Sequence, residues 1–168
     1  MNFRKMFLIG AVLCLAVIAF AQNNRGKAEV TIKGNKISID YGRPSLQGQA
    51  SRLGEAQDGM VWRLGMNLAT HIEASGDLKV GGTELKAGKY TLWAKKTGNS
   101  WSLCFHPKIG VWGEPPLTDG FIAQTPLKLD KATDSVDLVT ISLADAKGKV
   151  GFRVQWGADV LTGSFDVK

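Results

Sequence analysis

The clearest indication of fold class lies in residues 139–156, which read VTISLADAKGKVGFRVQW. Apolar residues take every second position on both sides of the Lys147-Gly148 pair, namely Val139, Ile141, Leu143, Val150, Phe152, Val154 and Trp156. Because successive side chains of a β-strand point to opposite faces of a sheet, this period predicts two strands that each bury one face. A Lys-Gly pair between them suits a two-residue turn, in which glycine accepts a positive φ angle. The stretch therefore predicts an antiparallel β-hairpin.

The same period of two recurs outward along the chain, in runs separated by short glycine-containing turns. These turns are predicted at Gly34-Asn35, Gly81-Gly82, Thr97-Gly98-Asn99 and Gly157-Ala158. Short strands joined by regularly spaced turns are typical of all-β domains. We therefore predict a single-domain antiparallel β-sandwich, and a jelly-roll-like arrangement or a partly closed barrel would give the same pattern.

Longer irregular segments interrupt the strands at two places. The segment from Ser45 to Gly59 is polar, which predicts a long loop with one short helical turn. The segment from Lys108 to Gly120 contains the Pro115-Pro116 pair. Because proline cannot donate a hydrogen bond to a sheet, this second segment is predicted to cross between strands.

The N-terminal residues have the pattern of an export signal. Arg4 and Lys5 precede an apolar run from Met6 to Phe20, and the run ends at a cleavage site of the A-x-A type. The run is shorter than the roughly 20 residues that a membrane-spanning helix needs. We expect residues 1–21 to be a signal peptide, residues 22–27 a flexible N-terminus and residues 28–168 the β-sandwich domain. The mature protein would then be periplasmic or secreted, without a membrane span.

Charge and cysteine content restrict the partners and the chemistry. The formal charge of +6 includes Arg4 and Lys5, so it falls to +4 when the leader is removed, with 19 basic and 15 acidic residues remaining. There is no basic run, which argues against a nucleic-acid partner. Beyond the leader only Cys104 remains, so no intramolecular disulfide is expected and the thiol is predicted to be buried. Oligomeric state and ligand identity are left open.

The sequence lacks the common catalytic motifs. It contains no G-x-S-x-G elbow, no phosphate-binding glycine loop, no zincin helix motif and no Cys-x-x-Cys pair. Cys104 and His106 share one face of a strand, but no third group is placed to orient them. We predict no catalytic residues and no cofactor, and we favour a binding protein, with the question of an enzyme left open.

A metal site is the alternative interpretation. His71 and Glu73 share a strand face, and His106 could supply a third ligand from another strand. Three such ligands and a water molecule would make a catalytic zinc site, and hence a metal-assisted hydrolase of the cell envelope. A structural module that offers a strand edge to a protein partner is a further alternative.

Aromatic and arginine side chains give the preferred candidate site. It comprises Tyr41, Arg43, Trp62, Arg63, Asn67 and Trp112. Arginine recognises carboxylate or phosphate, and exposed aromatic rings offer stacking faces to sugars or cations. These residues predict a binding site for a small acidic ligand, a glycan or an envelope component. In the competing interpretation Trp62 belongs to the core and the arginines pair with Asp40, Glu55 or Asp58.

Several sequence segments resemble one protein family. They are IDYGRPS at residues 39–45, VWRLGMNLAT at 61–70, LKAGKYTL at 85–92, WSL at 101–103 and Trp112-Gly113. Together they are similar to the DUF2911 family, exported bacterial β-rich proteins of unknown function, over roughly residues 29–167. The resemblance implies a β-rich exported fold and emphasises Tyr41, Arg43, Pro44, Trp62, Arg63, Asn67 and Thr70. The chain departs from the family pattern at Lys86, at His106 and in the polar loop of residues 49–59, which favours the arginines and Asn67 over His106.

Overall fold

A computed structural model describes residues 24–168, and these residues form one open antiparallel β-sheet. The predicted signal peptide, residues 1–21, lies outside the described residues. The strands are β1 (Arg25–Ile32), β2 (Asn35–Gly42), β3 (Val61–Trp62), β4 (His71–Ala74), β5 (Leu78–Val80), β6 (Thr83–Leu85), β7 (Gly88–Thr97), β8 (Ser100–His106), β9 (Ala123–Ala146) and β10 (Lys149–Val167). The predicted all-β antiparallel class is confirmed.

The strand order is β1-β2-β4-β7-β8-β9-β10-β5-β6, and β3 pairs with β7 beside this path. The end strands β1 and β6 do not pair with each other, so the sheet is not closed into a barrel. Its two halves pack face to face. A contact between them is the hydrogen bond of 3.4 Å that the Tyr41 hydroxyl on β2 donates to the Ile141 carbonyl on β9. On the same interior, Phe105 of β8 contacts Phe165 of β10 edge to face at 5.5 Å. The apolar alternation of the sequence therefore fills a core between two layers.

The hairpin of β1 and β2 turns one residue earlier than predicted. Ile32 pairs with Asn35, so the turn residues are Lys33 and Gly34, with φ angles of 51° and 79°. Asn35 is instead a buried strand residue, and its Oδ1 accepts a hydrogen bond of 2.8 Å from the Gly76 amide. Asparagine favours turns, but this contact with a distant residue stabilises Asn35 in the strand.

The N-terminal strand begins inside the segment predicted to be flexible. Residues 25–27 pair with residues 40–42 of β2, and the Arg25 guanidinium forms an ion pair with Asp40. The prediction of a flexible segment is therefore wrong for these residues, because sheet pairing and an ion pair hold them in place. Residues 22 and 23 lie outside the described part.

The predicted turn at Gly157-Ala158 is also wrong, because β10 continues through it. The pairing of β10 with β9 shifts register on both sides of Gly157, whose φ angle is 61°. Pairing resumes where Asp159 meets Lys131. The extra residues at these two shifts belong to β9, so Gly157 lies opposite a bulged stretch of the partner strand and does not reverse the chain.

The two irregular segments are confirmed, and the second builds a small additional core. The first contains a 3-10 helix at Leu53–Glu55, and no helix of the described residues is long and apolar enough to cross a membrane. The second crosses from the end of β8 to the start of β9. Its partly buried side chains Val111, Leu117 and Phe121 cover the outer face of β7 and β8. There they pack, together with Val61, against the buried residues Ala69, Trp93 and Cys104.

Candidate functional site

The loop that follows β3 is pressed against the end of β2. A Cβ atom on Gly42 would lie 2.2 Å from the Met66 carbonyl oxygen. Glycine, which has no Cβ atom, avoids this clash. The loop also contains Leu64 and Asn67 with φ angles of 57° and 61°, values uncommon for residues other than glycine. Tight packing and these backbone conformations fix the positions of the side chains that the loop carries.

Tyr41, Arg43 and Trp62 do not line an exposed site. Tyr41 and Trp62 are 3% and 8% exposed and belong to the main core. Arg43 lies against β9, where its Nε donates to the Val139 carbonyl at 3.1 Å and its Nη2 to the Thr140 hydroxyl at 3.3 Å. The competing interpretation is confirmed for Trp62. Arg43, however, pairs with none of the carboxylates expected, but with groups of the strand that faces it.

Arg63, Asn67 and Trp112 are brought together by backbone contacts between two loops. Leu68 and Trp112 form an isolated β-bridge, and the Gly113 amide donates to the Asn67 carbonyl at 2.9 Å. The Arg63 side chain crosses Gly113 so closely that a Cβ atom there would lie 2.1 Å from its Cδ. Three of the six residues proposed from the sequence, Arg63, Asn67 and Trp112, therefore lie next to one another. We call Arg63, Asn67, Trp112 and Glu114 the Trp112 platform.

The Trp112 platform combines an exposed aromatic ring with charged and amide groups. Trp112 is 60% exposed, while the neighbouring Val111 packs into the additional core. Arg63 is mostly covered; its Nε donates to the Gly65 carbonyl at 3.3 Å, and its Nη1 is buried without a hydrogen-bond partner. Its Nη2 lies 3.9 Å from Glu114 Oε1, longer than a hydrogen bond. The guanidinium is thus only partly satisfied by the protein.

A family model described as "Protein of unknown function (DUF2911)" matches residues 23–163 of the chain. The chain belongs to the DUF2911 family. The resemblance seen in the sequence is thereby confirmed. Comparisons with curated proteins and with solved structures gave no match.

The metal-ligand candidates of this DUF2911 protein are not assembled into a site. His71 and His106 each pair directly with Thr91 of the strand between them, so their backbones are separated by roughly 10 Å. Glu73 forms an ion pair with Lys89 at 3.4 Å, and the His106 Nδ1 accepts from the Lys108 amide at 2.9 Å. Within residues 24–168, no three His, Cys, Asp or Glu side chains are grouped to hold a metal ion.

Cys104 is a core residue of the DUF2911 domain. It is completely buried beside Trp93 and Ala69, and burial raises the pKa of its thiol to about 11. Its Sγ lies 3.8 Å from the side-chain oxygen of Gln124 and 3.8 Å from the Ser102 carbonyl oxygen, and neither group is a base that could take the proton. A thiol that stays protonated is a poor nucleophile.

A cleft between the first loop and β10 was not predicted from the sequence. Its volume is about 420 Å³, and we call it the Trp156 cleft, lined by Ser45, Leu46, Gln47, Gln49, Ala50, Ser51, Arg52 and Trp156. The one sequence signal for it is Trp156, the last residue of an alternating run within β10, directly before the register shift at Gly157.

A buried carboxylate beneath the Trp156 cleft fastens the loop to the sheet. Asp159 is completely buried and accepts a hydrogen bond of 3.1 Å from the Leu53 amide. Burial alone would raise the pKa of this carboxyl, but the ion pair with Lys131 and the hydrogen bond from the Leu53 amide together hold its pKa below the ordinary value. The loop is therefore anchored by an ionised group.

Proposed function

We propose that this protein is a non-catalytic binding module for a glycan, and that the sugar contacts the Trp112 platform. The observation that carries the proposal is that the Trp112 side chain is 60% exposed although its backbone is fixed. Trp112 forms a β-bridge with Leu68, and the residues before and after it hydrogen-bond to the same loop. A tryptophan in this position contributes little to the core, whereas its broad apolar face can pack against a sugar ring. If the export signal acts as its pattern predicts, the platform would meet glycans of the cell envelope or outside the cell.

The mixture of polar groups around Trp112 favours a glycan over a small acidic ligand. Arg63 supplies donors, Glu114 supplies acceptors and the Asn67 amide supplies both. Sugar hydroxyls donate and accept, so they match all three. An anion attracted to Arg63 would also meet the Glu114 carboxylate, which lies 3.9 Å from the guanidinium. Like-charge repulsion there lowers the affinity for acids.

The test is a titration of the full chain with defined saccharides, namely N-acetylglucosamine, cello- and malto-oligosaccharides, followed by NMR of the tryptophan indole N–H groups. We expect at least one saccharide to shift the Trp112 resonance, assigned with the Trp112→Phe variant. Trp112→Ala should weaken that binding about fivefold or more, if the sugar gains as much as a nucleic-acid base does from stacking on one aromatic ring, about 1–3 kcal/mol. Glu114→Gln should also weaken it.

The matched control is Ile109→Ala, which removes another exposed apolar side chain, 53% exposed, from the same crossing segment. Binding should survive this change, because Ile109 is not part of the platform. The proposal fails if none of these saccharides shifts the Trp112 resonance, or if Trp112→Ala and Ile109→Ala bind alike. Stronger binding of acetate by Glu114→Gln, without saccharide binding, would support an acidic ligand instead.

A further inference from the structure

We infer that the Trp156 cleft is a second binding site, and that it takes a small aromatic carboxylate. The cleft lies between the Ser45–Arg52 loop and β10, and none of its lining residues belongs to the Trp112 platform. The inference therefore stands apart from the proposed glycan site. Three properties of the cleft carry it, namely its size, its aromatic wall and its single cationic side chain.

The size and shape of the cleft suit a small molecule. Its volume of about 420 Å³ falls within the range of about 300–1,000 Å³ that ligand pockets occupy. The loop is already held in place by hydrogen bonds from the Leu46 amide to the Asp137 carbonyl and from the Gln49 amide to the Leu46 carbonyl, both 3.0 Å. Asp159 anchors the following turn through Leu53. Because the walls are ordered before binding, little entropy is lost in forming the site.

Trp156 gives the cleft an aromatic wall of fixed orientation. Its ring stacks on Trp62 with 5.9 Å between centroids and 10° between planes. Trp62 is 8% exposed and lies in the main core, so it cannot turn away. Trp62 covers one face of Trp156, the ring also packs against the main core, and the part of it that stays exposed borders the cleft. Aromatic rings prefer offset stacking on such a surface.

The charge of the lining selects an anion. Arg52 is the only charged side chain among the lining residues, and none of them is acidic. Glu55 lies 4.0 Å from Arg52, but, unlike Glu114 in the Trp112 platform, it is not among the residues that line the cleft, and both side chains are largely exposed, so their attraction is weak. The acids behind the loop are engaged, since Asp137 accepts from the Ser45 hydroxyl at 2.6 Å and Asp159 pairs with Lys131. A guanidinium binds carboxylate through two parallel hydrogen bonds.

Benzoate is the probe for this site, and benzamide is its uncharged counterpart of nearly the same shape. The full chain is titrated with each, and the indole N–H resonances are followed by NMR, with Trp156 assigned from Trp156→Phe. We expect benzoate to shift the Trp156 resonance and benzamide to bind about tenfold more weakly. Arg52→Gln should weaken benzoate binding about tenfold, as the loss of a charge-assisted pair predicts.

Lys79→Gln is the matched control, because it removes the same charge from an exposed residue of β5, outside the cleft lining. It should leave benzoate binding unchanged. The inference is overturned if benzoate leaves the Trp156 resonance in place, if benzamide binds as well as benzoate, or if Arg52→Gln and Lys79→Gln behave alike. Trp112 reports the glycan site by a separate resonance, so either site can fail without the other.

Discussion

A Cβ atom on Gly65 would lie 2.6 Å from the carbonyl oxygen of Gly42, a distance that real Cβ atoms essentially never show. The obstructing atom belongs to the backbone of β2, which cannot rotate away as a flexible side chain can. The loop after β3 and the end of β2 thus meet backbone to backbone. This contact explains in physical terms why glycine stands in both the YGRP and the WRLG stretches of the sequence.

We predict that Gly65→Ala destabilises the fold. Inserting a methyl group into this contact should lower the free energy of unfolding by about 1–3 kcal/mol, the usual cost of overpacking. Urea unfolding followed by tryptophan fluorescence measures the change. Gly54→Ala is the control, because a Cβ atom there meets nothing within 4 Å. Equal stability of the two variants would contradict the importance of the close approach.

Arg43 is predicted to stabilise the fold rather than to bind a ligand. Arg43→Ala removes the hydrogen bonds to Val139 and Thr140, and we expect a loss of about 1–3 kcal/mol in unfolding free energy. Arg43→Lys should not restore stability, because one ammonium group cannot reproduce the planar fork. Denaturation curves check both variants.

Arg52→Ala is the comparison for Arg43, since its side chain is 80% exposed and its loss should change stability little. Saccharide binding by the folded Arg43→Ala protein should match that of the unaltered protein. A normal denaturation midpoint together with lost saccharide binding would instead return Arg43 to the binding site.

The strands were predictable because one face of each is buried, and burial imposes a period of two on the residue types. The exceptions arose where a distant residue decides the conformation. Asn35 has the propensity of a turn residue, yet its contact with Gly76 places it in a strand. Gly157 has the propensity of a turn as well, yet it pairs with Val136 of β9 and stays within the strand.

The candidate site was only partly predictable for a related reason. Residue type identified Arg63, Asn67 and Trp112, but the same reasoning included Arg43, because sequence does not show which arginine faces a second sheet layer. The Trp156 cleft depends on how a polar loop folds over β10. That loop carries no periodicity, and its anchor, Asp159, lies over 100 positions along the chain from its partner Leu53.

Asp159 is predicted to make stability depend on pH. Its pKa in the folded protein is below the ordinary carboxyl value of about 3.9. The ionised group therefore stabilises the fold above that value, and its contribution is lost as the pH falls through the lowered pKa. Asp159→Asn should cost about 1–3 kcal/mol near neutral pH, because the ion pair with Lys131 disappears and a buried hydrogen bond weakens.

Urea unfolding of both proteins at successive pH values between about 7 and 2 measures this effect, and the two stabilities should converge below about pH 4. Asp130→Asn serves as the control, because the Asp130 carboxylate is 47% exposed and its pair with Lys128 lies at the surface. A constant difference between Asp159→Asn and the unaltered protein over this range would show that the carboxylate charge is not what stabilises the loop.

Cys104 is predicted to be chemically inert while the protein is folded. With a pKa of about 11, only about one thiol in a thousand is ionised at pH 8, and the side chain is completely buried. Iodoacetamide should therefore leave Cys104 unmodified in the folded full chain and alkylate it promptly in guanidinium chloride. Mass spectrometry of the peptide that contains Cys104 measures both cases separately from Cys14. Rapid alkylation of the folded protein, without a matching rise in global unfolding, would mean that the crossing segment opens and exposes the thiol.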